Sequence, residues 1–173
     1  MYLIFVSSLE KNVELSNMIN DSLESFGKHT EVINLVDLNI PMYDSFKENN
    51  DGVPEVVKSL ASKMDKARGY VFVTPEYNFS IPPVQTNAIA WLSRIGDDFR
   101  KLFTMKYILL ATHSGKGGQD VCNAMRTQFS KLGSMVMPRE IIETHQKDID
   151  SAAVERVVKK FADVANNTCI ISH

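Results

Sequence analysis

The sequence predicts a three-layer α/β domain built on a five-stranded parallel sheet. Two observations predict it. First, short runs such as Leu3 to Val6, Gly69 to Val73 and Tyr107 to Ala111 are apolar throughout, as strands buried on both faces are. Second, the stretches between such runs repeat apolar residues at helical spacing. Strands that alternate with helices give crossover units and a parallel sheet.

Leu3 to Val6 is the first strand, and Ser7 to Asn12 is the loop after it. Leu15, Met18, Ile19, Leu23 and Phe26 then mark a helix, with Asn12 as its expected N-cap and Gly27 as its stop. Glu31 to Leu35 is the second strand, and Asn39 to Asn50 reads as a loop. Pro54 starts a helix with Val57, Leu60, Ala61 and Met64 on its apolar face. Gly69 to Val73 is the third strand. After a Pro-rich loop, Val84, Ala88, Trp91, Leu92 and Ile95 recur at helical spacing. Tyr107 to Ala111 is the fourth strand, and Thr112 to Gln119 is the loop that follows. Val121, Cys122, Met125, Phe129 and Leu132 line the next helix, which Gly133 ends. Ser134 to Met137 is a fifth strand stopped by Pro138. Asp148 opens a last helix with Ile149, Val154, Val157, Val158 and Phe161 inward, and residues 166–173 form a tail.

At 173 residues the chain fits one domain, residues 1–173. A formal net charge of −2 gives no basic footprint for nucleic acid. It is also too small for a strongly acidic electron carrier. The apolar run Tyr2 to Val6 is too short for a signal peptide, and no run approaches the ~20 residues that span a bilayer. No membrane association and a cytoplasmic protein are therefore expected. Cys122 and Cys169 share no metal-ligand spacing; Cys122 sits on an apolar helix face and reads as a buried thiol. No GxGxxG follows a strand, which argues against a classical dinucleotide-binding domain. Thr74 after the third strand and Ser7-Ser8 after the first stand where a phosphoacceptor receiver needs acids.

Ligands of open parallel sheets gather at the carboxyl ends of the strands. Three loops are placed there. Ser7, Ser8, Lys11 and Asn12 offer hydroxyls, an amide and a cation before a helix N-terminus, which suits a phosphate. Pro75 to Pro83 is a rigid loop, its backbone fixed by prolines. Gly115, Gly117 and Gly118 let the third loop approach a ligand closely.

The stretch TPEYNFSIPPVQTNAIAWLSRIG, Thr74 to Gly96, resembles the signature of the NADPH-dependent FMN reductases. Pro75, Glu76, Tyr77, Asn78, Ser80, Pro82, Asn87, Ala88, Ile89, Trp91, Leu92, Ser93 and Arg94 carry the match. GKGGQDVCNAMRTQFSKLGSMVMP resembles the family's later pattern. The first loop departs from it: Ser7 stands for Gly, Glu10 for Arg and Val13 for Ser. The resemblance implies a flavodoxin-like fold of strand order 2-1-3-4-5 and bound FMN. It also implies NAD(P)H as hydride donor, a flavin, quinone or other small-molecule electron acceptor, and a homodimer.

On that reading Ser7, Ser8, Lys11 and Asn12 hold the phosphate. Pro75, Glu76, Tyr77, Asn78 and Ser80 border the ring, with amides aimed at its polar edge. His113, Ser114, Gly115 and Gly118 meet the pyrimidine edge. The Asn78 and Ser80 side chains also suit turn hydrogen bonds or a cap on the following helix, and the Tyr77 and Phe79 rings suit either a wall of the pocket or packing against a neighbouring helix or a partner subunit. No catalytic acid or base is expected, because the flavin carries the chemistry. The alternative is a flavodoxin-like flavin-binding or scaffold protein without NAD(P)H turnover; Glu10 is the hint for a scaffold that lost its flavin. Ile89, Phe99 and Phe103 are the apolar surplus that points to a homodimer built on the helix after PEYN.

Overall fold

A computed structural model describes residues 1–98 and 100–167. The strands are β1 (Tyr2–Val6), β2 (Thr30–Asn34), β3 (Gly69–Val73), β4 (Tyr107–Ser114), β5 (Met135–Val136) and β6 (Ile141–Thr144). The helices are α1 (Lys11–Ser25), α2 (Ser45–Asp51), α3 (Glu55–Lys66), α4 (Pro83–Leu92), α5 (Gln119–Lys131) and α6 (Ser151–Asn167).

The sheet runs β2-β1-β3-β4-β5, and every pairing is parallel. That is the expected order. Although the central strands are apolar throughout, their side chains still alternate between faces. Leu3, Phe5, Tyr70, Phe72, Ile108 and Leu110 pack in one core cluster with residues of α3, α4 and α5. Tyr2, Ile4, Val71, Val73, Leu109 and Ala111 pack in the other, with residues of α1 and α6. Aromatic contacts extend the first cluster: Phe72 lies 4.8 Å from Phe5 and 4.4 Å from Phe129, centroid to centroid.

Several expectations are corrected. A sixth strand exists, because the fifth position of the sheet is broken. β5 pairs with Tyr107 and Ile108, and β6 resumes the pairing at Ala111 to Ser114. Val136 to Ile141 takes five steps where β4 takes three from Ile108 to Ala111. Pro138 lies in the break and has no N–H for the ladder. Arg126 of α5 fills it, donating to the Met137 carbonyl at 2.8 Å and pairing with Glu140 at 2.8 Å. Because β6 extends the pairing, β4 runs to Ser114 and not to Ala111, which puts His113 and Ser114 on a strand.

The segment read as a loop from Asn39 to Asn50 contains α2, capped by Asp44, which accepts from the Lys47 N–H at 2.8 Å. None of its residues is buried, so it left no apolar period. α1 begins at Lys11, so its N-cap is Glu10 and not Asn12. α4 stops at Leu92, short of Ile95. α6 begins at Ser151; Asp148 lies outside it, while the Asp150 carboxylate accepts from the Ala152 N–H at 3.2 Å. Residues 166 and 167 belong to this helix, and the rest of the expected tail, with Cys169, lies outside the described residues.

Candidate functional site

A cavity of about 530 Å³ opens at the carboxyl end of the sheet. The first two suspect loops and the end of β4 reach it; none of residues 114–119 lines it. Ser7, Ser8, Lys11 and Asn12 line it from the first, Pro75 and Tyr77 from the second, and His113 from the end of β4. Val36, Pro82 to Val84 and His145 complete the wall.

Asn12 is the hinge between the first and third of these groups. Its side chain accepts from the His113 N–H at 2.9 Å and donates to the His113 carbonyl at 3.0 Å. The amide is therefore committed to protein backbone and anchors the start of α1 beside the end of β4. Among the described residues no side chain caps the N-terminus of α1. Its first N–H groups keep their partial positive charge for a ligand.

Ser7 is buried, and its hydroxyl donates to Gln85 Oε1 at 2.7 Å. Thr74 donates to the same oxygen at 2.6 Å. This knot joins the ends of β1 and β3 to α4 directly under the cavity. Gln85 escaped the sequence reading, although it lies three residues before Ala88 and seven before Leu92 on a buried face. Ser8 makes only a 3.4 Å contact to the Leu9 carbonyl, so its hydroxyl is the freer of the two serines. Lys11 pairs with Glu14 at 2.7 Å, and the Glu14 hydrogen bond and charge hold the ammonium above its ordinary pKa.

In the second loop Tyr77 and Ser80 exchange both backbone hydrogen bonds at 3.1 Å. Asn78 and Phe79 between them have φ of 50° and 62°, so the loop closes as a two-residue type I′ turn. The turn is closed by backbone groups, with Asn78 at its first central position and Ser80 at its end. The Tyr77 and Phe79 side chains stand out at 51% and 75% exposure.

The Glu76 carboxylate points to the third loop and not into the cavity. It accepts from the N–H groups of Gly118 and Val121, both at 3.1 Å, and so caps α5. Gly118 is required by the fold: its φ is 102°, and a Cβ there would lie 2.8 Å from Thr112 Cγ2. A Cβ on Gly115 would meet nothing, so the approach expected of that residue is toward open space. Ser114 is buried, and neither its hydroxyl nor that of Thr112 has a hydrogen-bond partner among the described residues.

The second half of the matched stretch holds the 39–51 segment. Asn87 accepts from Tyr43 N–H at 2.8 Å and donates to the carbonyls of Ile40 and Pro41. Trp91 Nε1 donates to the Pro41 carbonyl at 2.7 Å, and Arg94 pairs with Glu48 at 2.7 Å. His145 was missed outright. It follows β6, a strand with no sequence signal of its own, and its ring meets that of His113 edge-to-face at 4.9 Å.

These features fit a flavin phosphate: an uncapped helix N-terminus, a hydroxyl without a strong partner, and a cavity between the ends of three strands. They define a parallel-sheet protein of the flavodoxin-like class. The family model for NADPH-dependent FMN reductase matches residues 2–148, and the chain belongs to that family. A quinone reductase of Escherichia coli is 48% identical over 58 residues, which is 34% of this chain and 31% of that relative's length. An uncharacterized protein of Mycoplasma pneumoniae is 29% identical over 146 residues, covering 79% of this chain and 87% of the relative. Among solved structures, the NAD(P)H:(acceptor) oxidoreductase FerB of Paracoccus denitrificans superposes with a TM-score of 0.78 at 22% identity. That superposition covers 95% of this chain and 96% of FerB. Among the described residues no helix is long and apolar enough to cross a membrane.

Proposed function

We propose that residues 1–173 form a single FMN-binding domain that takes hydride from NAD(P)H and delivers it to a flavin, a quinone or another small acceptor. The convergence of the ends of β1, β3 and β4 on one cavity carries this reading. Family membership and the quinone reductase likeness support it. When bound, FMN would supply the hydride chemistry. The chain's residues would bind and orient it. The N-terminal amides of α1 and the Ser8 hydroxyl suit its phosphate. Pro75 and the Tyr77 ring suit the ring site; the Ser114 hydroxyl is buried beside Gly118, and neither Ser114 nor Gly115 lines the cavity. Asn12, Glu76 and Gly118 hold these groups in place, and Lys11 lies at the rim.

Reconstitution with FMN, desalting and an assay of NAD(P)H oxidation with a quinone test the reading. Retained yellow colour with turnover is expected. A colourless protein would favour a scaffold, and colour without turnover a flavin-binding carrier.

A cytoplasmic homodimer is part of the proposal. Its structural motive moves, however. Ile89 and Phe103 are core residues at 6% and 0% exposure, and Phe99 lies outside the described residues. Tyr77 and Phe79 now supply the exposed apolar surface beside the cavity. Sedimentation at micromolar concentration should give twice the 19.5 kDa chain mass; the chain mass itself would rule out the dimer.

A further inference from the structure

Loop one lacks a dedicated cation. Glu10 is an acid at the N-cap of α1, where it opposes a phosphate. Lys11 is exposed and pairs with Glu14 at 2.7 Å, and the charges of Glu143 and Asp148 act on it as well. The remaining ionisable side chains of the cavity wall are Tyr77, His113 and His145. Of these, the two imidazoles can become cations near neutral pH.

Their placement suits that role. His113 is 8% exposed, lines the cavity, and its ring has no hydrogen-bond partner among the described residues. The Asn12 side chain binds both polar groups of the His113 peptide, which sets His113 next to the uncapped end of α1. His145 is exposed, and its ring sits edge-to-face on His113 at 4.9 Å. Its backbone N–H donates to the Ser114 carbonyl at 3.3 Å, which fixes the start of the turn after β6. One ring is thus nearly enclosed and the other can exchange protons with solvent.

We propose that the His113–His145 pair is the cationic part of the phosphate subsite and makes the chain prefer phosphorylated flavin over uncharged flavin. The inference rests on the flavin reading above. A phosphate close to an imidazole favours its cationic form. Two ring N–H donors and one positive charge then face the phosphate, opposite the α1 amides. Glu10 opposes them, and Glu143 on β6 is the nearest acid in sequence to His145.

FMN and riboflavin share the ring and differ in the phosphate, so the pair of ligands isolates the effect. Flavin fluorescence quenching gives both affinities for the wild type, His145→Gln, His145→Arg and the His113→Gln/His145→Gln double variant. His145 is exposed, so its variants should fold. Loss of one charge-assisted contact lowers affinity about tenfold. We expect His145→Gln and the double variant to bind FMN about tenfold more weakly, with riboflavin within twofold of wild type. His145→Arg, a fixed cation, should keep the FMN preference. Unchanged FMN binding in His145→Gln and the double variant would overturn the proposal and leave the flavin reading intact. So would a parallel loss of riboflavin, which would place the rings against the isoalloxazine. Wild type that binds neither flavin would overturn the flavin reading itself.

Discussion

Glu76 aims its charge at its own chain. A carboxylate that accepts two N–H groups in the first turn of α5 satisfies donors that no neighbouring turn can reach. It also complements the helix dipole. Glu76→Gln keeps the shape and one acceptor but removes the charge, and should lower stability by about 1 kcal/mol; Glu76→Ala should cost about 2 kcal/mol. Urea midpoints measure both, and equal midpoints for all three proteins would show that the cap carries no energy. Cys122 is the opposite kind of residue. Burial pushes its thiol up to about 12, so at pH 8 it is protonated and enclosed. In a Cys169→Ser background, a disulfide-exchange reagent should label native protein at less than a hundredth of its rate in urea. The buried thiol is legible in the sequence from helical spacing. The target of Glu76 is not, because a carboxylate that caps a helix over forty residues away leaves no local pattern.

The hairpin after β3 is strained in a way its sequence conceals. Asn-Gly is the favoured pair for a type I′ turn, and here Phe79 fills the second place at φ 62° while three-quarters exposed. A left-handed aromatic residue costs of order 1–3 kcal/mol and gains no burial. Phe79→Gly should therefore raise the Tm of dilute protein by about 2–12 °C. If Phe79 seats on a second subunit, the same variant should sediment as a monomer at concentrations where the wild type is a dimer. A lower Tm would show that the ring already packs within its own chain. Elements with a strong apolar period, such as α3 and β3, are legible almost to the residue. α2 is not, since it buries nothing. β6 is not, since two extra residues hide its continuity with β5, and His145 is lost from view with it.

At the scale of the molecule, strand order follows from the resemblance, and the sheet confirms it. The contents of the cavity follow less completely. Strand-end residues such as Ser7, Pro75 and His113 are predictable because a parallel sheet points every carboxyl end the same way. Gln85 and Asn12 are not assigned their roles by any local rule. Each acts across the fold, on groups about 80 and 100 residues distant.

The long reach of β1 also bears on how the protein comes to exist. Tyr2 pairs with Gly69, so the central ladder cannot close until about 70 residues of chain are available. Closing such separations is slow. The Asn12 to His113 clamp spans 101 positions and can form only after β4 has joined. The cavity between these strand ends is therefore complete only late in folding. Contacts made after the folding barrier slow unfolding without speeding folding. Added FMN should therefore leave the refolding rate from urea within about twofold and slow unfolding in proportion to its occupancy. Stopped-flow traces with and without FMN would read both arms, and faster refolding with FMN would mean that the pocket forms early, before the sheet is complete.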